Sequence, residues 1–287
     1  MNTEIPKSYL TEVFSSLQGE GGCIEGSCFG KRQIFIRFSG CNLSKDLDRT
    51  SSCFWCDSLE AQSFKNPIAK IEEKPGLRRF INVKNPLTPP ELADIINNLI
   101  TKDLHSISFT GGEPLYQIDF IVFFLGLLEE YQIRYPLYLE TNGTIIPTQE
   151  QFYLIAKYFK FCCCDIKDRS SNVAKKDNWN EIVNLELEFI EKCTKHYINT
   201  FAKIIVTSET KIDDIVWISK KLAEIKGINR KGVGLAIQPV YLYNESLKNK
   251  YAISADHLNQ IFYTVADYLS PTNISLSIQA HKYLDLL

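Results

Sequence analysis

The stretch "SISFTGGEPLYQIDFIVFFLGLLEEY", residues 106–131, sets the architecture. Its first five residues are a short apolar run, its middle a turn of two glycines, a glutamate and a proline, and its remainder an apolar segment with helical spacing. A strand, a tight turn and a helix make half of a βαβ unit. The same order recurs on both sides. Strand-like runs stand at 33–39, 137–141, 160–166, 201–207 and 233–240. Helical segments lie between them: "TPPELADIINNLIT", with Thr88 as cap and prolines in the first turn, then "TQEQFYLIAKYF", "NLELEFIEKCTKHY", "KIDDIVWISKKLAEI" and, from Ser254, "SADHLNQIFYTVADYL". Strands alternating with helices imply right-handed crossovers and a parallel sheet covered by helices. The expected fold is therefore α/β: an open, partial TIM-like barrel of about six parallel strands.

One domain is expected over residues 1–287. It comprises an N-terminal strand and glycine-rich turn (8–30), a cysteine loop (40–58), a barrel core (about 33–240) and a C-terminal segment (241–287). Residues 64–86, rich in lysine and proline, fit neither periodicity and read as an insertion. The polar "KDRSSNVAKKDNWN" reads as a surface loop after the fourth strand.

At 45% hydrophobic and 23% charged, with a formal net charge of −2, the chain has an ordinary globular composition. That balance argues against tight non-specific nucleic-acid binding. The longest apolar run, 118–128, is too short for a bilayer, which needs about 20 residues. The first ten residues lack the apolar core of a secretory leader, so a cytoplasmic protein with reduced thiols is expected. Of its nine cysteines, Cys162, Cys163 and Cys164 read as a buried strand in which neighbours point to opposite faces. Cys23 and Cys28 read as structural.

The loop "RFSGCNLSKDLDRTSSCFWCDS", residues 37–58, carries Cys41, Cys53 and Cys56. Structural zinc prefers four protein ligands. Three thiolates leave one position of a metal centre open, as in a [4Fe–4S] cluster with one uncovered iron. From the loop alone, that cluster and a zinc site closed by a distant ligand stand equally. Trp55 offers a flat face to a heteroaromatic ring. In the GGEP turn, Gly111 and Gly112 let the backbone approach a ligand, and Glu113 offers a carboxylate to an ammonium. These residues, with "TNG" (141–143), Asp165, Lys167 and "QPV" (238–240), all fall at strand C-terminal ends. That edge carries the active site of parallel α/β folds.

Together the cysteine loop and the GGEP turn resemble the radical S-adenosylmethionine (SAM) superfamily. The eleven residues between Cys41 and Cys53, in place of the usual three, resemble the expanded-loop subset of the 7-carboxy-7-deazaguanine synthases. "SLQGEGG" (16–22), "RFSGC", "ETNGT" (140–144), "QPV" and "HKYL" (281–284) resemble segments of that family as well. The resemblance implies that Cys41, Cys53 and Cys56 hold a [4Fe–4S] cluster. It implies SAM contacts from Trp55, Asp57, Gly111, Gly112, Glu113, Asn142, Asp165, Lys167 and Gln238. Substrate contacts are implied for Leu17, Gln18, Gly19, Glu20, Arg37, Thr110, His281 and Leu287, with Arg37 on a substrate carboxylate. Ser58 stands where the family has a threonine that ligates Mg²⁺, and keeps the hydroxyl oxygen. Asp165-Ile166-Lys167 departs from the family's Ser-Pro-Lys.

The implied reaction converts 6-carboxy-5,6,7,8-tetrahydropterin to 7-carboxy-7-deazaguanine with loss of ammonia, on the route to deazapurine nucleosides of tRNA (queuosine and archaeosine). The resemblance also implies a reductant such as flavodoxin or ferredoxin, and a homodimer. A glycyl-radical-enzyme activase, a synthase paralogue acting on another pterin-like substrate, and a zinc-stabilised binding module are the rival readings.

Overall fold

The computed structural model describes residues 4–44, 53–173, 178–226, 232–242, 244–284 and 286. Its centre is the parallel sheet expected from the alternating pattern. Strands β2 (Arg32–Phe38), β5 (Leu104–Gly111), β6 (Leu137–Thr141), β7 (Phe159–Ile166), β8 (Asn199–Val206) and β9 (Gly234–Pro239) lie side by side in that order. Every neighbouring pair among them is parallel. The strands alternate with helices α1 (Pro89–Leu99), α2 (Ile118–Leu127), α3 (Gln149–Tyr158), α4 (Trp179–Lys195) and α5 (Ile212–Glu224). The start of α1 is written in the sequence: the Thr88 side chain accepts from the Glu91 backbone, Glu91 returns the bond, and Pro89 enters the first turn. Leu92, Ala93, Ile96 and Leu99 then bury one stripe of the helix.

The two sheet faces bury different clusters. Cys162 and Cys164 point into the large core under the helices, while Cys163 packs with Ile24, Tyr138, Phe201 and Ala236 on the concave face. The cysteine run is thus a buried strand with alternating sides, as period two requires. Cys28 packs against the concave cluster, and Cys23 is exposed, its backbone N–H donating to the Ser275 hydroxyl at 3.0 Å.

Three features extend the sheet beyond the expected six strands. β1 (Leu10–Leu17) runs antiparallel to β2, and the lysine-rich segment taken for an insertion is a hairpin, β3 (Ile68–Glu72) and β4 (Phe80–Lys84). β3 pairs with β1, so the hairpin forms one flank of a ten-stranded sheet among the described residues. The buried Glu72 accepts from the Ser15 and Arg78 backbones, and Asn85 pairs both ways with Leu10. On the other flank the chain passes through α6 (Glu245–Tyr251) and α7 (Ala255–Ala266) to β10 (Ile274–Leu276), parallel to β9, and then α8 (Ala280–Leu284). The sheet remains open, with β4 and β10 as its edges.

Candidate active site

One cavity of about 540 Å³ opens at the C-terminal edge of the parallel strands. Every site residue expected from the sequence lines it except Cys41, Glu113 and Leu287. Leu287 lies outside the described residues, as do residues 45–52 of the cysteine loop.

The loop after β2 turns at Cys41, whose carbonyl accepts from the Ser44 backbone, and the C-x-x-C turn closes with Cys56 N–H donating to Cys53 at 3.2 Å. Burial pushes the Cys41 thiol up to about 12 and the Cys53 thiol up to about 11. Cys53 adds to the rise at Cys41 and Cys56 to the rise at Cys53, while Lys167 opposes both. Metal-binding sulfurs must shed their protons, so thiols whose ionisation burial opposes gain most from a cationic centre. All nine cysteines are free thiols. The donor set fits a sulfur-ligated metal group. Asn142 adds a contact from its amide nitrogen to Cys41 Sγ at 3.9 Å, the kind of outer bond that tunes a cluster. Trp55 lies edge-on to Phe54 in a pocket backed by Leu242 and Tyr251. α6, which supplies Tyr251, was not expected from the sequence.

The GGEP turn also docks the protein against itself. Gly111 has φ +121°, and a Cβ there would strike Phe38 N and O at 2.4 Å. At Gly112 a Cβ would lie 2.2 Å from the Gly40 carbonyl and 2.4 Å from that of Ala61. The glycines let backbone approach backbone, docking the end of β5 against the base of the cysteine loop. Gly112 N–H donates to Phe38 and Glu113 N–H to Gly40. The Glu113 carboxylate is not open to a ligand ammonium. It is fully buried and accepts from Thr141 Oγ1 (2.7 Å), Asn142 N (2.7 Å) and Leu115 N (3.0 Å). Burial outweighs these bonds and lifts its pKa to about 7.

Across the cavity, the glycine-rich turn after β1 presents Leu17, Gln18, Gly19 and Glu20. Gln18 donates to Glu140 at 2.7 Å, and Thr110 donates to the other oxygen of Glu140 at 2.8 Å. Burial raises the pKa of Glu140. Arg37 is held by Glu12 and Ser58, each at 2.7 Å, and stands over the Phe14 ring. The Ser58 hydroxyl in turn donates to Asp57 at 3.2 Å. Burial would lift Asp57, but the charges of Arg37, Lys282 and Lys203 bring it below the ordinary carboxylate range. Gln238 is buried, and its side-chain oxygen accepts from Ser277 at 2.7 Å. α8 closes this side: Ala280 N–H donates to Gly19, and His281 reaches the cavity. One ligand atom each from Glu20, Asp57 and His281 lie within 4.8 Å of one another.

Asp165 and Lys203 occupy register partners on β7 and β8, facing the cavity. Lys167 pairs with Asp165 at 2.6 Å, Lys203 with Asp165 at 3.3 Å, and Lys203 with Glu20 at 2.5 Å. Burial would raise Asp165, but the two lysines overcome it and hold the carboxyl down at about 2. Lys203, Glu140, Glu12 and Gln279 are cavity residues that the sequence reading missed. Lys203 had a signal: it is the one charged residue within "FAKIIVT" (201–207), a strand otherwise apolar through its centre. Gln279 had none, because its bonds to Glu20 and Asp57 span more than 200 residues.

The description "Radical SAM superfamily" matches residues 35–222 of the chain. A protein of Thermococcus kodakarensis named 7-carboxy-7-deazaguanine synthase is 34% identical over 97% of this chain and 98% of its own length. Proteins of the same name from Methanocaldococcus jannaschii and Geobacter sulfurreducens are 33% and 32% identical, each covering at least 97% of both chains. Among solved structures, the one described as native anSMEcpe with bound AdoMet and Cp18Cys peptide superposes with a TM-score of 0.51 at 17% identity. It covers 86% of this chain and 61% of its own, a likeness of fold.

Proposed function

The chain belongs to the radical SAM superfamily and, within it, to the 7-carboxy-7-deazaguanine synthases; on that premise we propose that its cavity converts 6-carboxy-5,6,7,8-tetrahydropterin to 7-carboxy-7-deazaguanine with loss of ammonia. The family implies a [4Fe–4S] cluster and SAM, which when bound supply a 5′-deoxyadenosyl radical for hydrogen abstraction from the pterin. The supporting observation is that Cys53, Cys56 and the QGEG turn, drawn from distant parts of the chain, line one cavity, and that Cys41 is held beside it by Asn142 of the same lining.

The residues divide the work. Cys41, Cys53 and Cys56 hold the cluster, leaving one iron for the amino acid end of SAM. Lys167 is the cation whose charge acts on Cys41 and Cys53, and it suits the SAM carboxylate. Trp55, Asp57, Gly111, Gly112, Asn142, Asp165 and Gln238 shape the SAM side, while Glu113 acts from behind by fixing Thr141 and Asn142. Gln18, Thr110 and Glu140 offer a hydrogen-bonding edge to the aminopyrimidinone of the pterin. Arg37 turns to the substrate carboxylate, with Glu20 and His281 beside it. Ser58 would offer its hydroxyl oxygen to Mg²⁺ in place of the bond it now accepts from Arg37 at 2.7 Å. We extend the proposal to a flavodoxin- or ferredoxin-type reductant, a cytoplasmic setting and a homodimer. Among the described residues no helix is long and apolar enough to cross a membrane.

The test is anaerobic reconstitution with iron and sulfide, followed by incubation with SAM, dithionite and the pterin. The expected result is 7-carboxy-7-deazaguanine with no second protein present. A colourless zinc protein, or turnover only with a partner polypeptide, refutes the proposal. The glycyl-radical activase rests only on Asp165-Ile166-Lys167, and likeness to the synthases through nearly the whole chain outweighs it.

A further inference from the structure

We propose that Lys167, Asp165, Lys203 and Glu20 form a charge chain that couples the SAM end of the cavity to the substrate end, with Lys203 as its positioning residue. The inference rests on the assignment of those two ends given above.

The geometry is a line of alternating charge. Lys167 Nζ meets Asp165 Oδ2 at 2.6 Å, Asp165 Oδ1 meets Lys203 Nζ at 3.3 Å, and Lys203 Nζ meets Glu20 Oε2 at 2.5 Å. The other Glu20 oxygen accepts from Gln279 at 2.8 Å, and the same Gln279 nitrogen reaches Asp57 at 2.9 Å. The two lysine side chains are only 11% and 10% exposed, so water cannot level their charges. Buried ion pairs contribute little net stability, since desolvation offsets their attraction. Their strength lies in mutual dependence: in a low-dielectric pocket a charge added at one end is felt along the row.

The position of Asp165 creates the dependence. It divides its two oxygens between Lys167 and Lys203 and stands one strand from the latter, in register. A SAM carboxylate on Lys167 draws that ammonium from Asp165. Asp165 then pulls harder on Lys203, and Lys203 loosens from Glu20. Glu20, on the turn that faces the pterin, gains an oxygen for the substrate. Linkage makes the effect reciprocal, so a pterin that engages Glu20 tightens SAM by the same factor. A serine at position 165 carries no charge to divide, so this device belongs to chains with an acid there.

The experiment measures SAM affinity of the reconstituted, unreduced protein with and without saturating 6-carboxy-5,6,7,8-tetrahydropterin, and pterin affinity with and without SAM. In the wild type each ligand is expected to tighten the other about five-fold or more. Lys203→Met and, independently, Asp165→Ser should bring both ratios within two-fold of unity, while Lys203→Arg keeps them. Coupling that persists in Lys203→Met or in Asp165→Ser overturns the chain, as does a wild type that binds both ligands independently. Should Lys203→Met fail to fold, Asp165→Ser alone decides. A wild type that binds no pterin refutes the proposed function and this inference with it.

Discussion

Two groups of three cysteines show how placement, not residue type, assigns chemistry. Cys162, Cys163 and Cys164 sit at consecutive positions of β7, at most 4% exposed. Burial lifts their pKa values well above that of an ordinary thiol, and they act as small hydrophobes. Cys41, Cys53 and Cys56 are half-buried on the loop that leaves β2, and Lys167 opposes the rise at the two most enclosed. The strand thiols share no opening. Of the loop thiols, Cys53 and Cys56 open onto a cavity that can admit a cationic group, and Cys41 meets Asn142 of its lining.

The sharpest way to break this comparison is Cys56→Ala. It should abolish the brown cluster and all SAM cleavage, read by iron content and by 5′-deoxyadenosine release, and retained cleavage would remove the loop from its role. Gly112→Ala comes next. Its new methyl meets two backbone carbonyls that cannot rotate away, so stability should fall by about 1–3 kcal/mol or more and iron uptake should fall with it, checked by denaturant titration and iron analysis.

Glu113 supplies a pH test of the wall behind the loop thiols. Its folded pKa of about 7 lies above the ordinary 4.5, so the native state holds a proton that the unfolded chain releases. The contribution is fully present below pH 4.5 and is lost as pH climbs to 7. Urea titrations of the metal-free protein should therefore show a loss of up to roughly 3 kcal/mol across that window, and Glu113→Gln should flatten it. A wild-type profile no steeper than the variant's would disprove a burial-dominated carboxyl. The smallest effect belongs to the strand thiols: Cys163→Ala should cost about 1 kcal/mol and keep the full iron complement.

The parallel core was legible because period-two and period-3.6 patterns alternate cleanly and the helix caps are local, as at Thr88 and Ser254. The β3–β4 hairpin was not. Each of its strands has five residues, one apolar face and lysines on the other, which is how an edge strand resists unwanted pairing and how a polar loop also reads. The location of the site followed from the rule that chemistry collects at strand C-termini. Its wiring did not, because Arg37–Glu12, Lys203–Asp165 and Gln279–Asp57 are register and topology effects.

The clasp between Ala280 and Gly19 has a consequence for biogenesis. Gln279, His281, Lys282 and Leu286, which complete the cavity beside the QGEG turn, leave the ribosome after the remaining walls have been made. A nascent chain arrested just before them would carry its three loop thiols and its whole central sheet, yet its reaction chamber would stand open to bulk water.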